Sequence, residues 1–138
     1  MRRGLCVALL VALLIMPGLG VTEGSDTVQL ARTMYALGRD EPYETLLMIG
    51  SVVMNRVESP WYPDTVNEVL GEPHQFPHGL LYNEECMRAA REIMMGRRVL
   101  PRDVVLVAGE DASYLPRGAQ LYARAGEYGF YAVEAARD

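Results

Sequence analysis

A few aromatic and carboxylate side chains near helix-breaking positions are the residues of this sequence best suited to chemistry. Trp61 and Tyr62 fall between Pro60 and Pro63, on a stiff loop that displays both rings. Tyr35, Phe76 and Tyr128 add further flat faces of the kind that suit the apolar faces of pyranose rings. Gln75, beside Phe76, can hydrogen-bond N-acetyl or hydroxyl groups. Each has a plainer reading: Tyr35 and Phe76 serve equally as core residues, and Gln75 as an amide that stabilises its loop. Glu41 and Glu44 flank Pro42-Tyr43. A hydrophobic pocket raises such a carboxyl toward the pKa a general acid needs, whereas at a helix start the same groups simply complement the dipole. Other chemistries have less to work with. His74 and His78 are four apart, but Pro73 and Pro77 forbid a shared helix face, and no further metal ligand suggests itself. Ser51 and Ser113 lack the context of a Ser-His-Asp hydrolase.

The 138-residue chain is long enough for one domain, and half of it is apolar, which supports a real core. Its start has a different character. Arg2 and Arg3 precede an unbroken apolar run from Leu5 to Met16, and Pro17, Gly18 and Gly20 follow. This pattern predicts a secretory signal peptide over residues 1–20, cut after Gly20, with an uncleaved anchor as the alternative. The run is shorter than the ~20 residues that span a bilayer, so cleavage leaves no stable membrane span. The formal charge of −5 becomes −7 once the two arginines of residues 1–20 are removed. An acidic protein whose thirteen cations are all arginine is a poor partner for nucleic acid. Cleavage also removes Cys6 and leaves Cys86 alone, so no internal disulfide forms, and the thiol reads as buried and inert.

After a short polar lead over residues 21–29, helical spacing of Leu30, Met34 and Leu37 predicts a helix over residues 27–38 with Asp26 as its N-cap. Pro42 suits the first turn of a second helix that runs to Val57. That helix is apolar on nearly every face and should be the central buried one, with Asn55 at its end satisfying backbone groups. A short helix over residues 65–70 and another from Asn83, stopped at Gly96, complete the helical body. Residues 104–107, 120–123 and 129–133 read as strands. The expected fold is therefore α+β, mainly helical, with a small C-terminal β-sheet.

Three blocks of sequence occur in order. The first runs from Leu30 to Glu44, LARTMYALGRDEPYE; the second from Val53 to Pro60, VMNRVESP; the third is Gln75-Phe76, followed by a helix that carries Arg88-Ala89-Ala90 and Gly96. Together they resemble the SleB-type, spore-cortex-lytic cell-wall hydrolases, over most of residues 30–131 of a domain expected at 30–138. The resemblance implies a lysozyme-like domain, related to lytic transglycosylases, that cleaves peptidoglycan glycan strands between N-acetylmuramic acid and N-acetylglucosamine. A carboxylic acid protonates the leaving oxygen there, without a metal or other cofactor, outside the cell or in its envelope. The family's first motif reads Tyr, a small residue, Glu, and then Arg-Gly-Glu-Pro-Tyr. Its first glutamate is the assigned acid, and Leu37 stands there in this sequence. The second glutamate is Glu41, the remaining candidate acid, preceded by Asp40 instead of glycine. Tyr128 stands at the position of a family histidine. Two functions follow: a glycan-cleaving enzyme that uses Glu41, with Gln75, Phe76, Trp61, Tyr35 and Tyr128 against the sugar, or an inactive relative that binds peptidoglycan.

Overall fold

The computed structural model describes residues 24–137. The leader expected at residues 1–20 lies outside them. Four α-helices come first: α1 (Ser25–Gly38), α2 (Tyr43–Val57), α3 (Val66–Leu70) and α4 (Glu84–Met94). Three strands follow, β1 (Val104–Ala108), β2 (Gln120–Ala125) and β3 (Tyr128–Ala132), and a 3₁₀ turn at Glu134–Arg137. The α+β, mainly helical architecture with a small C-terminal sheet is as the sequence predicts.

The central helix is α2. Its residues from Thr45 to Val53 are all buried, and it packs against α1, α3, α4 and β1. Leu46, Leu47, Ile49, Val52 and Val53 are at most 1% exposed, and each stabilises the fold by roughly 1.5–3 kcal/mol relative to exposure. Gly50 lets its neighbours close in: a Cβ there would lie 2.6 Å from Met34 Cε and 2.7 Å from Ile93 Cγ1. The polar residues of α2 are matched by the segment that leads into the sheet. Ser51 Oγ accepts from Val99 N at 3.0 Å, and Asn55 Nδ2 donates to the carbonyls of Pro101 and Val104 at 2.7 and 3.0 Å.

Side-chain caps set two of the four helix starts. Thr65 caps α3 by accepting from Glu68 N, and Asn83 caps α4 by accepting from Cys86 N. The expected cap at Asp26 is corrected. Helix α1 begins earlier, at Ser25, behind Gly24, with no side-chain cap, and Asp26 lies in its first turn, where its charge still favours the dipole. The helix therefore takes in part of the polar lead. Cys86, 0% exposed, is buried in the core, and burial raises its thiol pKa.

The sheet is antiparallel in the order β1-β3-β2. Both pairings slip register once, between Val104 and Leu106 and between Leu121 and Ala123, the signature of β-bulges. The β2–β3 connection is a tight turn in which Gly126 takes φ +57, a left-handed conformation that glycine adopts without penalty.

Candidate active-site cleft

A cleft with a volume of about 510 Å³ opens where the C-terminal end of α1, the α1–α2 linker and the β2–β3 turn converge. Leu37 and Tyr35 come from the last turn of α1, Glu41 from the linker, and Glu127 and Tyr128 from the turn and the start of β3. The linker doubles back, with Glu41 N donating to Gly38 O at 3.0 Å. Glu41 then reaches across to the hairpin, where its Oε1 accepts from the backbone N–H of Glu127 at 3.2 Å. Tyr128 closes the ring by donating its hydroxyl to the Leu37 carbonyl at 2.6 Å. That bond satisfies a carbonyl at the end of α1, where intrahelical partners run out.

The cleft is acidic. Asp40, Glu41 and Glu127 line it, and Glu41 is the half-buried one of the three. The cation beside them, Arg39, lies 3.6 Å from Asp40 and 5.8 Å from the centre of the Tyr35 ring. That ion pair is solvent-exposed and adds little stability. The Tyr128 phenol is held above its ordinary pKa, first by burial and then by the charges of Glu41 and Glu127 and by Tyr114.

A second hollow, about 320 Å³, lies between the loop after α3, strand β1 and the β1–β2 connection. Its floor is Arg56, a cation only 2% exposed at the end of α2. Arg56 Nε donates to Val105 O at 2.7 Å and Nη1 to Gln75 Oε1 at 3.2 Å. The guanidinium lies 4.9 Å from the ring centres of both Tyr62 and Phe76. Val105 is the extra residue of the β1 bulge, so the bulge and the buried cation hold one another. Burial lowers the Arg56 pKa, and Tyr62 and Glu72 oppose that shift.

The expected site residues thus divide. Glu41, Leu37, Tyr35 and Tyr128 share the first cleft, and Gln75 stands in the second hollow with Tyr62. Phe76, 5% exposed, is a core residue beneath Arg56. Trp61, 67% exposed, lines neither hollow. Glu44 is exposed on the first turn of α2 and likewise lines neither. Arg56, Glu72 and Glu127 were not anticipated as site residues. The available signal for Arg56 was a cation in the last turn of a mainly apolar helix that the sequence expects to be buried, which demands partners from elsewhere in the chain.

The profile of the Cell Wall Hydrolase family matches residues 40–131. The chain belongs to that family. Among its relatives, the spore cortex-lytic enzyme of Bacillus subtilis is 39% identical over 83 residues, which cover 56% of this chain and 27% of that one. The spore cortex-lytic enzyme of Oceanobacillus iheyensis is 36% identical over 63 residues, covering 44% and 23%. The chain therefore matches about a quarter of the length of these curated relatives. The fold of this family member is that of the catalytic domain of the Bacillus cereus SleB protein, with TM-score 0.67 at 23% identity over 80% of this chain and 93% of that one. The catalytic domain of the germination-specific lytic transglycosylase SleB from Bacillus anthracis gives the same TM-score at 22% identity, over 82% and 99%. The lysozyme-like α+β reading of the sequence holds.

Proposed function

We propose that this family member cleaves the glycan strands of peptidoglycan, with Glu41 as the acid. The observation that supports this most is the position of Glu41. Its half-buried carboxyl lines the cleft that also contains Leu37, Tyr35 and Tyr128, so a carboxyl is present beside the place where the resemblance puts one. Oε1 is held by the Glu127 N–H, and Gly126 has no side chain to cover Oε2.

In this reading the bond between the anomeric carbon of N-acetylmuramic acid and the O4 of N-acetylglucosamine breaks as Glu41 passes its proton to O4. The electron-deficient ring is then captured by a water, which gives a reducing end, or by its own 6-hydroxyl, which gives a 1,6-anhydro ring. In either case the attacking hydroxyl returns a proton to Glu41. Tyr35 and Tyr128 provide the flanking aromatic surface. We further propose that the protein reaches this substrate by export, with residues 1–20 as a cleaved leader.

A second reading is a glycan-binding relative without catalysis. Leu37 favours it, because leucine cannot donate a proton where the resemblance expects the acid. The bond from Glu127 N–H favours it too, since it gives Glu41 a structural duty as a brace for the hairpin.

Release of muropeptides from purified sacculi separates the two. The enzyme reading expects soluble anhydro- or reducing-end products from the wild type, lost in Glu41→Gln. Silence from the wild type across a broad pH range, with activity gained in Leu37→Glu, leaves the binding reading in its place.

A further inference from the structure

The two edges of the sheet are treated differently. On β1, the carbonyls of Val104 and Val105 accept from Asn55 Nδ2 and Arg56 Nε of α2 at 3.0 and 2.7 Å, so that strand is held against the helical body. Strand β2 has β3 as its one partner in the sheet, and none of its six residues is buried. Among the described residues, no side chain hydrogen-bonds to its backbone. Leu121 and Tyr122 are 49% and 54% exposed there. The backbone groups that β3 leaves free along such an edge are a template for another strand.

The sequence along this edge is nearly symmetric about Tyr122. Outward from it, Leu121 mirrors Ala123, Gln120 mirrors Arg124, Ala119 mirrors Ala125 and Gly118 mirrors Gly126. Both glycines have positive φ, +85 and +57, so the segment is bounded by a left-handed residue at each end. The next mirrored pair carries opposite charges, Arg117 and Glu127. Both are exposed, and neither has an ion-pair partner among the described residues. Opposite charges at mirrored positions suit a strand that pairs with an antiparallel copy of itself across a twofold axis. In that register Tyr122 meets the partner's Tyr122 on the axis, Gln120 faces the partner's Arg124, and Arg117 faces the partner's Glu127. No like charges stand opposite one another. Tyr122 is also the bulged residue, without a partner on β3, so the irregularity falls on the axis itself.

We propose that β2 is a dimerisation edge, through which two copies of this chain join their three-stranded sheets into one continuous sheet. The consequence reaches the first cleft, whose three carboxylates are Asp40, Glu41 and Glu127. The partner's Arg117 sits on that rim and offsets the charge of Glu127, so each copy contributes a residue to the cleft of the other. Two edges of six residues each fall at or below the ~1,200 Å² low end of stable interfaces. The pair therefore forms and separates with protein concentration.

The test is analytical ultracentrifugation of the full chain from micromolar to millimolar concentration. The expected result is a weight-average mass that rises from one copy toward two. Arg117→Glu and Glu127→Arg each place like charges opposite one another, twice per dimer, and should each weaken association by about tenfold. The double variant Arg117→Glu with Glu127→Arg restores opposite signs and should recover association to within about threefold of wild type. Both positions are exposed, so unchanged unfolding temperatures confirm that the variants fold. A wild type that stays one copy throughout overturns the proposal. So does association that both single changes leave intact, as association through residues 1–20 would be, or a double variant no better than the single ones. Each of these results leaves the glycan reading of the cleft untouched, because muropeptide release tests that reading separately.

Discussion

Glu41 and Gly126, far apart in sequence, occupy a shared volume: a Cβ on Gly126 would lie 1.6 Å from Glu41 Oε2. The hairpin turn thus admits the carboxylate only because residue 126 has no side chain. Gly126→Ala is expected to displace Glu41 and to strain a backbone at φ +57, at a cost of about 1–3 kcal/mol. Gly118→Ala is the control, since φ there is +85 but nothing lies within 4 Å of the added methyl. It should lose only the backbone part, roughly 1 kcal/mol. Urea unfolding of both variants measures the difference, and equal losses would mean that Glu41 moves aside freely.

The second prediction concerns Arg56. Lysine cannot replace it, because one ammonium cannot reach Val105 O and Gln75 Oε1 together while lying flat between two rings. Arg56→Lys and Arg56→Met should each destabilise the fold by about 3 kcal/mol or more. The β1 bulge should loosen as well, seen as faster amide exchange at Val105 and Leu106. Exchange unchanged from wild type would show that the bulge stands without its cation.

Tyr128 should make the fold sensitive to alkali. Its folded pKa is raised, chiefly by burial, so the stability it contributes is fully present below the unfolded tyrosine pKa of about 10. That contribution is lost as pH rises toward the folded value. Tyr128→Phe should flatten the alkaline limb of the stability curve, and phenolate absorbance should show one late-titrating tyrosine fewer.

At the acid end the pair to watch is Tyr43 and Glu92. The Tyr43 hydroxyl donates to Glu92 Oε2, and Arg97 Nη1 pairs with Oε1 at 2.9 Å. The hydrogen bond from Tyr43, more than any other influence, depresses the Glu92 pKa. A depressed carboxyl contributes stability above the unfolded glutamate pKa and loses it as pH falls through the folded value. Unfolding temperature plotted against pH should therefore fall less steeply below about pH 4.3 in Tyr43→Phe than in wild type. Parallel curves would exclude a role for the pair.

Much of this was legible in the sequence for local reasons. The helices announce themselves through apolar spacing and through caps, and Asn83 marks its helix within a single turn. Asp26 misled because Ser25, Asp26 and Thr27 are all good caps, yet α1 starts behind Gly24 and uses none of them. Glu41 and Tyr128 stood out by residue type, but motif resemblance and not any local signal put them in one site. Glu127 joins the site through its backbone N–H, which no residue type reveals. Phe76 and Tyr62 look alike as aromatics beside prolines, yet Arg56 packs over both and leaves only Tyr62 facing the hollow. Which one becomes core depends on contacts that sequence spacing does not carry.

The strand order has a consequence for how the protein comes into being. The last strand in sequence, β3, is the middle of the sheet, so β1 and β2 have no partner until it arrives. The Glu41–Glu127 brace and the Tyr128 bond to Leu37 bridge 86 and 91 positions. Closing such long loops is entropically slow, and contacts of this range are made late. A chain still being made would hold its helices but no assembled cleft. Whatever activity the cleft has is then withheld until β3 has joined the sheet.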